Sequence, residues 1–161
     1  MPERDGIKLI PADENGLTLK KIRQDFDVLK NLSEVYSYSA PMPSSITFAI
    51  DMEENIVGAI VLKNIRWINR KTEITIYLDK SFQNKGIGRQ VLEMAKDYIF
   101  NILNFHRIEV EVFSYNTNAI RLFERSGFKR EGILREARFF DGKYHDIIRF
   151  GLLKSEYSSD K

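Results

Sequence analysis

Cysteine is absent from this 161-residue chain, and histidine occurs only twice, at His106 and His145. The first absence removes disulfides, thiolate nucleophiles and cysteine-based metal sites, and two imidazoles are too few for an ordinary metal centre, so no metal is expected. Excess charge of one sign is missing too: 25 Lys and Arg stand against 23 Asp and Glu, a formal net charge of +2. Basic and acidic residues alternate along most of the chain, which leaves no electrostatic footprint for nucleic acid. No stretch approaches the roughly 18 continuous apolar residues of a membrane span, and the opening MPERDGIKLI lacks the apolar run of a secretion signal. A soluble cytoplasmic protein, with no nucleic-acid or membrane partner, is the expectation. Repeats, low-complexity tracts and linkers are lacking as well. One domain is predicted over residues 1–157, followed by a short charged, Ser-containing tail at 158–161 that is expected to be flexible. A hydrophobic content of 43%, with 12% aromatic residues, is enough for one substantial core.

What is present reads as alternating elements. Ile7 to Ile10 forms a short strand closed by Pro11, and TLKKIRQDFDVLKNL places Leu19, Ile22, Phe26 and Leu29 on one helical face. After a loop containing Pro41 and Pro43, SITFAID and NIVGAIVLKNI are β-branched runs joined by MEEN, which predicts an antiparallel hairpin. KTEITIYLD alternates imperfectly, as a strand covered on both faces would. From Ile87 the apolar positions Val91, Met94, Ala95, Tyr98, Ile99 and Ile102 keep helical spacing. RIEVEVF is a strand by strict alternation of Ile108, Val110 and Val112. NTNAIRLFERSGF opens with Asn and Thr as candidate N-caps, and Gly127 is the expected left-handed residue that ends its helix. Last, REGILREARFF and KYHDIIRFGLL flank Asp141-Gly142, a strong hairpin signal.

Between the third long strand and the long helix lies QNKGIGR, residues 83–89. Glycine in a first helical turn is unfavourable by roughly 1 kcal/mol against alanine, so something should compensate. A helix N-terminus offers unpaired N–H groups and a partial positive charge, which suit an anion. Gly86 and Gly88 lack a Cβ to block its approach, and Lys85 and Arg89 add positive charge. A tight strand-to-helix turn with no ligand is the plain alternative. Among phosphate loops, a P-loop string is absent. A dinucleotide loop lacks its third glycine, because that position is Val91, although Glu109 or Glu111 could imitate the ribose-binding acid. An acyl-CoA loop, Gln or Arg followed by x-x-Gly-x-Gly, is filled by Gln83, Gly86 and Gly88 without a mismatch.

Three strings, TEITIYLDKSFQNKGIGRQVLE, NTNAIRLFERSGF and EGILREARFFDGKYHDIIRFGLL, occur in the order and spacing of a known family. Over residues 46–157 the chain resembles the Gcn5-related N-acetyltransferases. Within them it is similar to the branch of ribosomal-protein-alanine, spermidine and amino-sugar acetyltransferases. The resemblance implies an α/β (α+β) fold with a mixed, bent central sheet of about seven strands, flanking helices and a C-terminal β-hairpin. It implies an acetyl-CoA-dependent transferase that moves acetyl to a primary amine by direct transfer in a ternary complex. The cofactor contacts it implies are Gln83, Asn84, Lys85, Gly86, Ile87, Gly88 and Arg89 for the pyrophosphate, the backbone of Ile76, Tyr77 and Leu78 for the pantetheine arm, Asn116, and Phe123 beside the thioester. Phe123 takes the position at which the family commonly carries a tyrosine that protonates the departing thiolate, and phenylalanine has no proton to give.

The acceptor amine has to be neutral to attack, since an ammonium has no lone pair. Glu73, where spermidine-type members carry an acidic residue near the acceptor, is the expected catalytic residue, holding the amine and accepting its proton directly or through water. Water, or Tyr115 or Tyr144 as candidate substitutes, would replace the missing acid, and each tyrosine also reads as an ordinary packed aromatic. The expected acceptor is a small-molecule amine or a protein N-terminus. Asp25, Asp27 and Glu34 could draw a polycation, and a homodimer is an allowed assembly. Two other readings stay open: a catalytically weakened CoA-binding or regulatory module of the same fold, and a nucleotide-dependent oxidoreductase.

Overall fold

The computed structural model describes residues 3–4, 7–8, 21–22, 25–29, 31 and 42–159. They fall into two compact units, Met1–Ser37 and Tyr38–Lys161. In the first, β1 (Glu3–Arg4) pairs antiparallel with β2 (Ile7–Lys8), and α1 (Phe26–Leu29) is a single helical turn that follows the exposed Asp25 and carries the exposed Asp27. Lys21 and Ile22 of the predicted first helix are also helical, with Ile22 exposed; the rest of that helix apart from Asp25, α1 and Asn31, the remainder of the predicted first strand, and Glu34 lie outside the described residues.

The second unit is built on six strands in the order β3-β4-β5-β6-β8-β7. They are β3 (Ile46–Met52), β4 (Asn55–Arg66), β5 (Lys71–Leu78), β6 (Arg107–Phe113), β7 (Lys129–Phe140) and β8 (Lys143–Leu153). Every neighbouring pair is antiparallel except β5 with β6, which run parallel. The sheet thus holds fewer strands than the sequence suggests, because the N-terminal strand forms a ladder of its own with β1. Three helices follow: α2 (Ile87–Asp97), α3 (Thr117–Arg125) and α4 (Lys154–Ser159). The last of these carries helix to Ser159, where the sequence suggests a tail from residue 158.

Alternation decides which sheet face meets the core. Leu62 of β4, Ile74 of β5, Ile108 and Val110 of β6, and Phe150 and Leu152 of β8 are buried together with Leu92, Ile99, Phe100 and Phe105. The reverse face of β5 and β6 carries Lys71, Glu73, Arg107, Glu109 and Glu111. Only the first half of β5 is covered on both faces: Thr72, Glu73 and Ile74 are buried, whereas Thr75 and Tyr77 are exposed.

The long helix differs from its predicted stripe. Its buried residues are Leu92, Ala95 and Lys96, continued by Ile99 and Phe100, while Met94 and Ile102 are largely exposed. The helix is apolar along two lines, and the second one, Val91, Met94 and Tyr98, borders a groove of about 440 Å³ against Phe48, Ile50 and Met52 of β3. Over Tyr98–Ile102 the coil widens to a π turn, closed by Leu103 N–H on the Tyr98 carbonyl at 2.9 Å. Asn116 caps α3 by accepting the Ala119 N–H at 3.1 Å, and Gly127 follows the helix with φ +88°. Asp141 and Gly142, at φ +51° and +74°, make the tight β7–β8 turn that the sequence announces.

Candidate active site

The parallel ladder between β5 and β6 is short. It pairs Lys71 with Arg107, Thr72 with Ile108 and Glu73 with Glu109, and there it ends. Beyond that point β5 stays paired with β4 as far as Leu78, and β6 stays paired with β8 as far as Phe113. Two strands that remain in one sheet but no longer bond to each other leave a cleft, with an unpaired backbone edge along it. Ile76, Tyr77 and Leu78 lie on this free stretch of β5. At its end Gly58 of β4 is pressed close: a Cβ there would lie 2.2 Å from the Tyr77 carbonyl oxygen.

From Leu78 the chain turns directly into the glycine loop. Asp79 caps a 3₁₀ turn over Lys80–Phe82 by accepting the Ser81 N–H at 2.9 Å, and the Ser81 hydroxyl and N–H together hold the Asp79 carboxyl below its usual value. Gln83 Nε2 donates back to the Leu78 carbonyl at 2.9 Å, tying the loop to the strand end. Asn84 and Gly86 both adopt left-handed backbone, at φ +59° and +82°. Lys85 Nζ rests 5.5 Å from the centre of the Phe82 ring. The first helical bond of α2 is donated by Gln90 to the Gly86 carbonyl at 3.2 Å, so the amides of Ile87, Gly88 and Arg89 precede the helical ladder. Among the described residues, a Cβ on Gly86 would meet nothing within 4 Å, and one on Gly88 only Leu122 and Leu78 at 3.7 and 3.8 Å. Open space, aligned amides and two cations fit the diphosphate of an acyl-CoA.

Glu73 sits at the mouth of the cleft, on the last residue of the parallel ladder. It is 7% exposed, unlike the solvated residue that a strand beginning usually carries. Lys63 Nζ lies 2.8 Å from Glu73 Oε1, and Asn64 Nδ2 donates to Oε2 at 2.9 Å. Both partners come from a bulge in β4. The register slips between Lys63 and Arg66, and Asn64 takes φ +50°, which re-aims its side chain towards the carboxylate. Neither residue is marked by a motif, since cross-strand register is what brings them to Glu73. Beside them, Glu109 is bonded by Arg107 Nε at 2.9 Å and Lys71 Nζ at 3.0 Å, with Arg149 at 3.8 Å. Burial works against its ionisation, but the bonds from Arg107 and Lys71 outweigh it and hold the carboxyl below the ordinary range.

The remaining candidates are spread more widely. Asn116 is exposed at the start of α3, its carbonyl oxygen engaged in the cap. Phe123 is 3% exposed, its ring 5.3 Å from Phe128 and 6.3 Å from Phe150, and so belongs to the core. Tyr115 follows β6 and is stacked between Phe113 at 5.6 Å and Phe140 at 5.2 Å, with His145 edge-on at 4.8 Å. Tyr144 is exposed against Phe139, and His106 is exposed before β6. Among the described residues no three His, Cys, Asp or Glu side chains gather as metal ligands, and no helix is long and apolar enough to cross a membrane.

Comparison with known proteins agrees with this geometry. The model of the acetyltransferase (GNAT) domain matches residues 20–148. A spermidine N(1)-acetyltransferase from Vibrio cholerae is 33% identical over 158 aligned residues, covering 96% of this chain and 91% of the relative. A crystal structure of spermidine N-acetyltransferase from Vibrio cholerae, in complex with CoA and spermine, superposes with a TM-score of 0.68 at 36% identity, over 71% of this chain and 69% of the other. The dodecameric structure of the Vibrio cholerae enzyme gives a TM-score of 0.70 at 35% identity, over 73% and 70%. The reading as a nucleotide-dependent oxidoreductase falls away, and the cleft, its free strand edge and its glycine loop are those of an acetyltransferase: the chain belongs to the GNAT family and is an acetyl-CoA-dependent N-acetyltransferase.

Proposed function

We propose that the acceptor is a polyamine, held with one ammonium at Glu73. The observation that carries this reading is a carboxylate buried at the point where β5 and β6 part, beside the free edge of β5. The similarity to a spermidine acetyltransferase over nearly the whole chain supports it, and also supports reading residues 1–157 as one catalytic domain. In this reading the amides and side chains of Gln83 to Arg89 receive the pyrophosphate, and Ile76, Tyr77 and Leu78 pair their backbone with the pantetheine arm, as an added strand pairs with a sheet edge. Asn116 contributes from the start of α3 across the cleft. Phe123 shapes the site from the core.

Glu73 holds the amine and takes its proton, directly or through water, and the neutral amine attacks the thioester without a covalent enzyme intermediate. The chain has no cysteine, in keeping with direct transfer. The departing thiolate comes from a thiol comparable to that of cysteine, whose reference pKa is about 8.5, so it leaves readily and water or Tyr115 returns its proton. The enzyme works as a homo-oligomer, a dimer at the least; β7 is an edge strand whose Ile133 and Phe139 are 58% and 61% exposed, the kind of surface a second copy covers.

A panel of amines assayed for CoA release tests the acceptor. Spermidine or spermine should turn over at least tenfold faster than glucosamine or a peptide with a free N-terminus, and Glu73→Gln should cut that turnover at least tenfold with acetyl-CoA affinity retained. A peptide as the fastest acceptor would sink the polyamine reading. CoA binding with no transfer to any amine would leave a binding module.

A further inference from the structure

We infer that Lys63 is a specificity-determining residue: its ammonium takes the place of the acceptor's on Glu73, and an acceptor amine has to displace it. The inference rests on reading Glu73 as the acceptor site. Lys63 and Glu73 are cross-strand partners in the β4–β5 ladder, with Nζ 2.8 Å from Oε1. The two groups that hold Glu73 differ in kind. Asn64 is a neutral donor fixed by the bulge at φ +50°. Lys63 is a compact ammonium on a flexible four-carbon stem, with 41% of its side chain exposed, so it can turn to water and remain solvated.

Three other cations of this face among the described residues are committed elsewhere. Lys71 and Arg107 bond Glu109, and Arg149 lies 3.8 Å from Glu109 and 3.7 Å from Glu111. Glu109 is also the in-register neighbour of Glu73, and like charges placed opposite each other destabilise a sheet unless each is compensated. A carboxylate this nearly buried cannot be compensated by water alone. Glu73 therefore needs a cation of its own in both states of the enzyme: Lys63 before the acceptor arrives, and the acceptor's ammonium afterwards.

The exchange sets a threshold. A monoamine trades one ammonium for another and gains little from doing so. A polyamine keeps further cations and a long chain with which to make additional contacts. A half-exposed ion pair corresponds to roughly a two- to fivefold equilibrium preference, which is the handicap Lys63 imposes.

Steady-state kinetics on the full chain test this with butylamine and with the best polyamine acceptor, taking the KM for acetyl-CoA as the internal control. Lys63→Met keeps the stem and removes the charge, so the KM for butylamine should fall by roughly two- to fivefold and that for the polyamine by less. Lys63→Arg lays a two-pronged donor on the carboxylate and should raise both amine KM values. Amine KM values that stay at wild type in Lys63→Met, or rise, overturn the inference. If that variant does not fold, Lys63→Arg decides alone, and an unchanged amine KM overturns it. Glu73→Gln separates the two ideas: if it leaves the amine KM unchanged, the acceptor reading of Glu73 fails, whereas a raised KM there with inert Lys63 variants keeps that reading and removes the role of Lys63.

Discussion

Gly86 and Gly88 stand two positions apart and are glycine for different reasons. Gly86 adopts φ +82°, where any other residue is strained by roughly 1–2 kcal/mol, so the turn itself requires it. Gly88 has no such backbone, and a Cβ on it meets Leu122 and Leu78 only at ordinary contact distance. None of the described residues asks for glycine at 88, and alanine there should favour the helix by roughly 1 kcal/mol. A ligand is what remains to require it. Gly88→Ala should therefore leave the melting temperature unchanged or raise it by about 2–4 °C, while calorimetry shows acetyl-CoA binding at least tenfold weaker. Wild-type affinity would move the diphosphate away from this helical turn. Phe123 teaches the opposite lesson. Its place in the family pattern suggests a role at the cofactor, yet a ring 3% exposed between Phe128 and Phe150 is held by packing, and a hydroxyl added there would need a buried partner. A motif position tells where the backbone goes more surely than what the side chain does.

The elements were legible wherever local chemistry decides them. The glycine turns at Gly127 and Asp141-Gly142, the Asn116 cap and the strict alternation of β6 all follow from residues within a few positions of one another. What the sequence left obscure depends on tertiary pairing. The apolar residues of α2 form two lines, and periodicity alone does not say that Leu92 and Phe100 are core while Met94 faces outward. Lys63 and Asn64 reach Glu73 only because β4 bulges, and no local rule sets that register. Gly58 shows the same dependence and can be tested. It reads as an ordinary glycine in an apolar run, yet an added Cβ would meet the Tyr77 carbonyl at 2.2 Å and Leu78 Cα at 3.0 Å, both backbone at the end of β5 on its β4 side. Since backbone cannot rotate out of the way, Gly58→Ala should push the end of β5 aside. The expected outcome is an acetyl-CoA KM raised at least fivefold, with the KM for the amine changed much less because Glu73 lies at the other end of the strand. Equal changes in both constants would mean general destabilisation instead, and a thermal melt would reveal that.

At the scale of the molecule, the cleft exists because two strands of one sheet separate, and something must keep them joined below the point of separation. The parallel ladder there is three residue pairs long. The charges of the reverse face reinforce it. Lys71 of β5 and Arg107 of β6 both bond Glu109, Arg149 of β8 approaches it, and Arg107 continues to Glu131 of β7 through two parallel hydrogen bonds, one of them 2.8 Å. Four of the six strands are thereby linked through one carboxylate and one guanidinium. Glu131, hydrogen-bonded by Arg107, is held below the ordinary carboxylate range, as is Glu109, and Arg107 is raised in turn. The sign of the pH dependence follows. A carboxylate with a lowered folded pKa contributes stability that is present above its unfolded value and is lost as pH falls through the folded one. Stability should thus be flat from about pH 8 down to about pH 5 and decline below that as Glu109 and Glu131 take up protons. Glu109→Gln removes the charge and leaves Lys71 and Arg107 without their shared acceptor, so unfolding free energy near neutral pH should drop by about 1–3 kcal/mol. The variant should also lose part of the acid dependence, so that denaturant melts of wild type and variant converge towards about pH 3. Curves that stay parallel across that range would show that the linked charges do not hold the base of the cleft, and that the core beneath Ile74 and Ile108 does so alone.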